Sequence, residues 1–385
     1  MRFADNRNKI GKYIPAVVFL IFIYGMALWF IFSPKPDYSS SEKRYLQKFP
    51  EVTAEKLLSG DFGSEFETFF ADRFPQRNTW VGLNAYTALA EGNNGASGVY
   101  NCKNGYLINK PVSTENNLDK NIGAVADFAK SIDTPTTVML VPSTGYIVDD
   151  VLPTFHDKYN DDEDISKISS TLSKDKIGFV DLRERFKSEY KNGSQLYYKT
   201  DHHWTTKGAY TGYQELCKAL GVTPIDDSTL KKDSYPDFYG TTYSSSGFWL
   251  TPPDNIEIWN NPKNSDRNIS VKITEGANIK TSGSMYFTDH LKEDDKYPVF
   301  IDGNHALTEI TNTNAKNGTI FLIKDSFSHS LAPFLAENYS KVVLVDLRYY
   351  KESVSDLVTT YNPEQVVVLY GIDNLATDTD IVWLK

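Results

Sequence analysis

Four side chains that can do chemistry follow one another in the segment 197–205, where Asp201, His202, His203 and Trp204 are consecutive. Such groups are costly to bury, so packing alone does not explain the run. Asp201 and His203 can act as the orienting acid and the base that activate a hydroxyl nucleophile. On an irregular loop, residues two apart can face one site, and His202 would then point away. The segment predicts one half of a nucleophilic site.

The candidate nucleophile is Ser326, which follows the apolar run 320–323 and precedes apolar residues at helical spacing. This order predicts a strand, a turn and a helix, with Ser326 at the helix entrance. A hydroxyl there is exposed at the carboxyl end of a strand, beside free backbone N–H groups that can stabilise an oxyanion. A serine that only caps the helix is the alternative. Together the two segments predict a triad of Ser326, His203 and Asp201.

A metal site is the rival interpretation, because the three residues 201–203 are all ligand types. Further imidazoles are available at His290, His305 and His329. Adjacent histidines point in different directions, however, and no HExxH or facial-triad spacing accompanies them. We therefore predict no metal and no other cofactor. His329, in the first turn after Ser326, could approach the site, but a surface position is expected.

The composition of the chain limits which classes of molecule it is expected to bind. The chain has 385 residues, 40% of them hydrophobic, which suffices for a full core. Its net charge of -10 and the lack of a basic stripe argue against a nucleic-acid partner. The 14% aromatic content suits a carbohydrate-contacting surface and equally a well-packed α/β core. Cys102 and Cys217 have no metal-ligand spacing and can be two free thiols or one disulfide.

The N-terminal segment predicts the compartment. The run Tyr13–Phe32 has no charge and is long enough to cross a bilayer of about 30 Å. Four basic residues and the single acid Asp5 precede it, which places the N-terminus in the cytoplasm. A cleaved signal peptide is the alternative, but the run is longer than usual and residues 31–35 lack a small-x-small pattern. We expect a single-pass anchor in the cell membrane, with the bulk of the chain extracytoplasmic.

Three regions must position these residues. They are a tail and anchor at 1–32, a linker with helices at 33–95, and a catalytic domain at 96–385 with a β-rich insertion at about 225–297. Helices alternate with continuous apolar runs in the last region, which predicts a mostly parallel sheet covered on both faces. Charges lie among aromatic residues at 69–77. Arginines that cap carbonyls or pair with acids at a helix end are one interpretation, and a family-specific role is the other.

The chain strongly resembles the DHHW family, named for the residues found here at 201–204, which is related to the SGNH-hydrolase-like proteins of alginate O-acetylation. The resemblance also covers residues 72–77, 98–107, 238–241 and 325–327. It implies a three-layer SGNH-like α/β fold in which Asp201, His203 and Ser326 form the triad. Their order is inverted from ordinary SGNH enzymes, where the serine comes first, so the catalytic blocks are circularly rearranged.

The resemblance also suggests oxyanion or substrate-binding residues. Residues 370–374 resemble the Gly-x-Asn-Asp block of SGNH enzymes with the final pair reversed, which makes Asn374 a candidate donor. Arg348 is a second candidate, and Trp204 is expected to contact substrate or to support the loop. A turn-forming asparagine and a salt-bridged arginine are the alternatives. The serine follows Lys324-Asp325 where Gly-Asp is commonest, so a less tight turn is expected.

The implied function is enzymatic. The resemblance implies a membrane-anchored O-acetyltransferase or acetylesterase that acts on a cell-surface polysaccharide through an acetyl-enzyme on Ser326. Relatives that transfer acetyl groups often work beside a multi-spanning membrane acyltransferase, so such a partner is expected. The alternative is a non-catalytic polysaccharide-binding or assembly protein that retains the fold and uses its aromatic-rich insertion.

Overall fold

The computed structural model describes residues 2–112 and 117–384, with side chains from residue 13 onward. Contacts divide the chain into two compact units, Met1–Tyr86 and Thr87–Lys385. The boundaries proposed from the sequence, at 32/33 and 95/96, stay a prediction.

The first unit is helical. Its helices are α1 (Arg2–Phe32), α2 (Ala54–Ser59), α3 (Asp61–Asp72) and α4 (Arg77–Ala90), the last of which continues into the second unit, and the short strands β1 (Tyr38–Ser39) and β2 (Arg44–Tyr45) pair with each other. Within α1, Tyr13–Phe32 is long and apolar enough to cross a membrane, a property that a signal sequence shares. The basic side chains that precede this run lie outside the described ones.

The second unit is built on a twisted sheet with the strand order β11-β10-β12-β14-β13-β15-β6-β7. In that order the strands are Asn278–Ser282, Ile269–Glu275, Leu307–Asn312, Tyr339–Val345, Asn317–Lys324, Gln365–Gly371, Thr136–Val141 and Gly178–Asp181. The five strands from β14 to β7 run parallel, and β12, β10 and β11 extend the β14 edge antiparallel. The predicted α/β class with a mostly parallel sheet is confirmed. Strands β10 and β11, expected in a separate insertion, instead join the central sheet.

Smaller strands lie outside the central sheet. They are β3 (Gly95–Ala96), β4 (Val99–Asn101) and β5 (Leu107–Asn109), which form one antiparallel sheet, and β8 (Lys231–Phe238) and β9 (Asp254–Asn260), which form another. The remaining helices are α5 (Leu118–Ser131), α6 (Thr144–Ile147), α7 (Asp161–Lys174), α8 (Arg183–Lys191), α9 (Thr206–Leu220), α10 (Thr241–Ser246), α11 (Ser328–Asn338), α12 (Val354–Tyr361) and α13 (Ile372–Thr377).

Helices cover both faces of the central sheet, which gives the three layers. Successive side chains of a strand point to opposite faces, and in β13 all four residues from Ile320 to Ile323 are fully buried. Ile320 and Leu322 pack in one core with α9 and α11. Phe321 and Ile323 pack in a second core with α5, α7 and α12. The continuous apolar run of β13 is the consequence of covering both faces.

The parallel strands bring three loops to one edge of the sheet. β13, β15 and β6 are neighbours that pair in parallel and end at Lys324, Gly371 and Val141. The loops that follow these ends therefore lie side by side, as is usual for the ligand sites of α/β sheets. The two cysteines of the chain, Cys102 and Cys217, are buried free thiols in the second unit.

The central strand gives a stability prediction. We expect Leu322→Ala, which empties a fully buried position between the sheet and helices α9 and α11, to lower the free energy of unfolding by about 2–5 kcal/mol. The matched control is Ile279→Ala on the edge strand β11, where the side chain is 61% exposed and the change should stay within about 0.5 kcal/mol. Urea denaturation measures both, and equal losses would contradict the three-layer packing.

Candidate active site

A tight loop holds the acid and the two imidazoles of the segment 197–205 in place. Tyr197 and Trp204 form an antiparallel bridge, and the Tyr198 N–H donates to the His203 carbonyl at 3.2 Å. The loop closes at Thr205, whose hydroxyl caps α9 by accepting from the Gly208 N–H at 3.1 Å. Residues 201–203 therefore occupy the tip of a braced loop directly before a helix.

Trp204 supports this loop from inside the core. Its indole is fully buried, and the Nε1–H lies 3.0 Å from the Phe327 carbonyl and 2.9 Å from Ser330 Oγ. These contacts tie the loop to the first turn of α11. These contacts fit the supporting role expected for Trp204, and the expected substrate contact stays a prediction.

The structure brings Asp201, His203 and Ser326 together although Ser326 lies 123 residues after His203. Ser326 Oγ is 2.7 Å from His203 Nε2, and His203 Nδ1 is 2.5 Å from Asp201 Oδ1. All three are buried, with Ser326 the most exposed at 8%. The arrangement gives the imidazole one acidic and one hydroxyl partner, which is the geometry that acyl-transfer triads share.

The Asp201 carboxylate is ionised in a dry environment. Burial alone would raise the pKa of this carboxyl, but its electrostatic interactions with His203 and His202 and its hydrogen bonds hold the pKa well below its usual range. Oδ1 accepts the His203 backbone N–H at 2.8 Å, and Oδ2 accepts the Thr241 backbone N–H at 2.6 Å and its hydroxyl at 3.1 Å. A charged, fully satisfied carboxylate can hold His203 in one orientation and stabilise an imidazolium.

His202 does not point away from the site, contrary to the expectation. Its ring lies 3.9 Å from that of His203, centroid to centroid, with 36° between the planes, and its Nδ1 is 2.7 Å from Thr241 Oγ1. Burial, followed by the charge of His203, lowers the pKa of His202 to about 4. The doublet therefore combines His203, the candidate base, with a second imidazole that packs against it at a tilt.

Tyr297 is the residue that sequence reasoning missed. Its buried ring stacks on His203 with a centroid distance of 4.0 Å and planes only 11° apart, and its hydroxyl donates to the Ser326 carbonyl at 3.1 Å. The single-turn helix Tyr297–Val299, between β11 and β12, delivers it. One tyrosine in a tyrosine-rich segment carries no distinctive spacing, so the sequence offered no signal for it.

The turn before Ser326 is held by Asp325. Its Oδ1 accepts the Phe327 N–H at 3.0 Å, while Oδ2 accepts the Gly371 N–H at 2.8 Å and the side-chain amide of Asn374 at 2.7 Å. Burial outweighs these bonds and raises the pKa of Asp325. Asn374 thus uses one amide hydrogen to join the ends of β13 and β15, and its second amide hydrogen is the one that could serve an oxyanion.

A buried ion pair accounts for Lys324 and Arg348. Lys324 Nζ lies 2.8 Å from Asp346 Oδ2 and 2.9 Å from His329 Nε2. Arg348 binds the same carboxylate through Nε at 2.8 Å and Nη2 at 2.6 Å, which is the salt bridge left open as its alternative role. His329 is buried and not at the surface, so that expectation is wrong. Burial holds the pKa of His329 well below its usual range, and its imidazole can accept from Lys324.

The structure also shows where the ligands of the rival metal site would lie. Ligand atoms of Asp201, His202 and His203 lie within 4.8 Å of one another. Both ring nitrogens of His203 are, however, engaged by Asp201 and Ser326. Among the described residues the other two named histidines bind acids elsewhere: His290 contacts Asp302 at 2.9 Å, and His305 contacts Glu275 at 2.7 Å.

A cavity of about 60 Å³ lies beside His202 and Phe327, the chain neighbours of His203 and Ser326. Its lining includes His202, Ser143, Phe327, Asp373 and Asn374. Ser143 Oγ donates to Asp373 Oδ1 at 3.0 Å, and burial raises the pKa of Asp373 to about 6. The cavity combines a few polar groups with apolar walls, as small-molecule sites do.

Asp161, which braces this cavity, gives a pH prediction. It is buried, accepts the Ser143 N–H at 2.7 Å, and has its pKa raised to about 7, chiefly by burial. An aspartate in an unfolded chain titrates near about 3.9. Its contribution to the free energy of unfolding is therefore full below about pH 4 and is lost as the pH rises through about 7.

We expect Asp161→Asn, which cannot ionise, to lose less stability between pH 4 and pH 8 than the unsubstituted chain. Urea denaturation at several pH values measures the difference, and all other carboxyls are common to both proteins. Parallel pH profiles for the two proteins would contradict the raised pKa.

The chain has an SGNH-like α/β fold with a mostly parallel central sheet. A serine, a histidine and an aspartate are linked by hydrogen bonds at the edge of that sheet. More narrowly, the chain belongs to the DHHW protein family, whose model matches residues 112–345. Residues 201–204 carry the name, and the structure places them beside Ser326.

Solved structures show the same fold at low sequence identity. A DHHW family protein from Eubacterium siraeum matches with a TM-score of 0.63 and 18% identity over 75% of this chain and 95% of that one. Bacillus cereus PatB1, solved with a sulfonyl adduct, matches with a TM-score of 0.62 and 21% identity over 74% of this chain and 97% of that one. The comparison with curated proteins finds no significant match.

Proposed function

We propose that this chain is a membrane-anchored, extracytoplasmic O-acetyltransferase or acetylesterase that acts on a cell-surface polysaccharide. The observation that carries the proposal is the continuous hydrogen-bond chain from Asp201 through His203 to Ser326 Oγ. A serine hydroxyl is a weak nucleophile until an adjacent base takes its proton. His203 is positioned to do so, and Asp201 is positioned to stabilise the imidazolium that results.

The first half-reaction forms an acetyl-enzyme. Ser326 Oγ attacks the carbonyl carbon of an acetyl ester while its proton passes to His203 Nε2. The Ser326 backbone N–H and the free amide hydrogen of Asn374 are the proposed donors to the oxyanion. Collapse of the tetrahedral intermediate breaks the ester C–O bond, and the leaving alcohol takes the proton from His203.

The second half-reaction releases the enzyme. A hydroxyl group attacks acetyl-Ser326, its proton passes to His203, and the serine regains a proton as the acetyl group departs. A sugar hydroxyl gives transfer, and water gives hydrolysis. Exclusion of water by the bound sugar favours transfer. In the transfer case a multi-spanning membrane acyltransferase is the proposed source of acetyl groups, since the N-terminal helix would hold the chain beside it.

A direct test uses p-nitrophenyl acetate with the full-length chain. We expect Ser326→Ala to lower the rate of acetyl release about 10³-fold or more, because no nucleophile remains. Ser328→Ala is the matched control: its hydroxyl is buried without a hydrogen-bond partner among the described residues, so its removal should leave the rate unchanged.

Mass spectrometry supplies the second readout. An acetyl group on the peptide that contains Ser326, absent from Ser326→Ala, is the expected acetyl-enzyme. Equal rates for the unsubstituted chain and Ser326→Ala would reject the triad and leave the non-catalytic, polysaccharide-binding alternative. Loss of activity on adding a chelator would instead favour the metal interpretation.

Tyr297 gives a prediction about positioning. Tyr297→Leu removes the ring stacked on His203, and misplacement of a catalytic group by about 1 Å can cost about 10²-fold. We expect kcat for p-nitrophenyl acetate to fall about 10- to 100-fold with little change in KM. Tyr297→Phe keeps the ring and loses only the bond to the Ser326 carbonyl, so it should restore most of kcat. An unchanged kcat in the leucine variant would show that the stack does not position His203.

A further inference from the structure

The charged and aromatic motif at 69–77 lies in the first unit and has no place in the triad. Arg73 is buried there, and its guanidinium donates to four backbone carbonyls: those of Lys35 and Pro36 at 2.7 Å, that of Gln47 at 2.9 Å and that of Leu46 at 3.4 Å. The first two carbonyls directly follow the end of α1. Arg73, at the end of α3, is therefore hydrogen-bonded to the segment that follows the apolar helix α1.

Asp72, the residue before Arg73, binds the same segment. Asp72 receives the Arg44 guanidinium in a two-point contact at 2.9 and 2.5 Å and the Gln47 N–H at 2.9 Å. The hydrogen bond from Arg44 is the main reason why the pKa of Asp72 is lowered. Asp72 and Arg73 together fix the segment 35–47 against the end of α3, and we call this pair the clamp.

Beside the clamp, the first unit has an apolar face whose rings stay partly exposed among the described residues. The rings that make up this phenylalanine face are Phe30, Phe49, Phe62, Phe66, Phe69 and Phe70, joined by centroid distances of 4.7 to 6.5 Å. Phe49, Phe66 and Phe70 are 57%, 41% and 42% exposed. Ser64 and Thr68 of α3, at the helical positions opposite Phe66, are exposed polar residues.

The contact between the phenylalanine face and α1 indicates how deep the face would lie in a membrane that α1 spans. Phe30 lies 4.7 Å from Phe70 and 6.2 Å from Phe69, and it is two residues from the end of the apolar run at Phe32. At 1.5 Å per residue, that is about 3 Å from the end of the run. If α1 spans the membrane, rings in contact with Phe30 must lie at the boundary between hydrocarbon and headgroups.

We propose that the phenylalanine face lies in the membrane interface, with α3 parallel to the bilayer surface and the clamp holding it against the exit of α1. The occupant of the face is lipid. The proposal rests on the anchor in the proposed function, and it does not depend on the acetyl chemistry. Glu65 and Glu67 on α3 give no attraction to anionic lipid, so burial of apolar area drives the contact.

Site-directed spin labelling tests this with the full-length chain in phosphatidylcholine nanodiscs. Phe66→Cys places a nitroxide on the face, and Ser64→Cys places one on the opposite side of the same helix. Cys102 and Cys217 are buried, so the unsubstituted chain serves as the labelling background. Relaxation by oxygen, which concentrates in lipid, is compared with relaxation by a water-soluble nickel chelate.

The expected result is that the label at 66 is relaxed more by oxygen and the label at 64 more by the nickel chelate. Phe70→Cys should behave like Phe66→Cys, which guards against a local disturbance at one site. Water exposure of both 66 and 70 in a chain that remains in the nanodisc would overturn the proposal and point to a protein partner for the face. A chain that does not enter nanodiscs would overturn the anchor, whereas the Ser326 chemistry would be unaffected by either result.

Discussion

The buried Asp201 carboxylate is the constraint on which the site depends. A charge removed from water must be fully hydrogen-bonded, or its burial costs several kcal/mol. The carboxylate accepts four hydrogen bonds, from the backbone N–H and Nδ1 of His203 and from the backbone N–H and hydroxyl of Thr241. Gly240 is needed beside them, because a Cβ at that position would lie 2.1 Å from the Asp201 Cβ. The segment 238–241, which is part of the family resemblance, therefore encloses the Asp201 carboxylate through Gly240 and Thr241.

A second buried carboxylate fixes the other side of the loop. Asp254 accepts the backbone N–H of Lys199 at 3.0 Å, the backbone N–H of Thr200 at 2.8 Å and the Thr200 hydroxyl at 2.7 Å. With Trp204 tied to α11, the tip at 201–203 is held from three directions. A base held in this way, the role proposed for His203, need not reorganise during the reaction, which is how preorganised electrostatics lower a barrier.

Part of this architecture could be predicted from the sequence. Continuous apolar runs revealed the parallel strands, and the strand-turn-helix pattern placed Ser326 at the sheet edge, because both signals are local. The pairing of Ser326 with His203 came from chemical complementarity and from the family resemblance. The stacking of Tyr297 on His203 and the position of His202 beside it were beyond prediction, since these contacts arise from long-range packing. The same applies to β10 and β11, whose alternating pattern does not reveal which sheet they join, and to Lys324, whose charge is buried only because Asp346 lies opposite.

The central claim is that the Asp201–His203 pair activates the Ser326 hydroxyl, and sulfonylation tests it most directly. A sulfonyl fluoride should modify Ser326 alone among the serines, as located by peptide mass spectrometry. The rate should fall about 10³-fold or more in His203→Ala and in Asp201→Asn, because the base is removed or misoriented. Modification of another residue, or equal rates in the three proteins, would contradict the account.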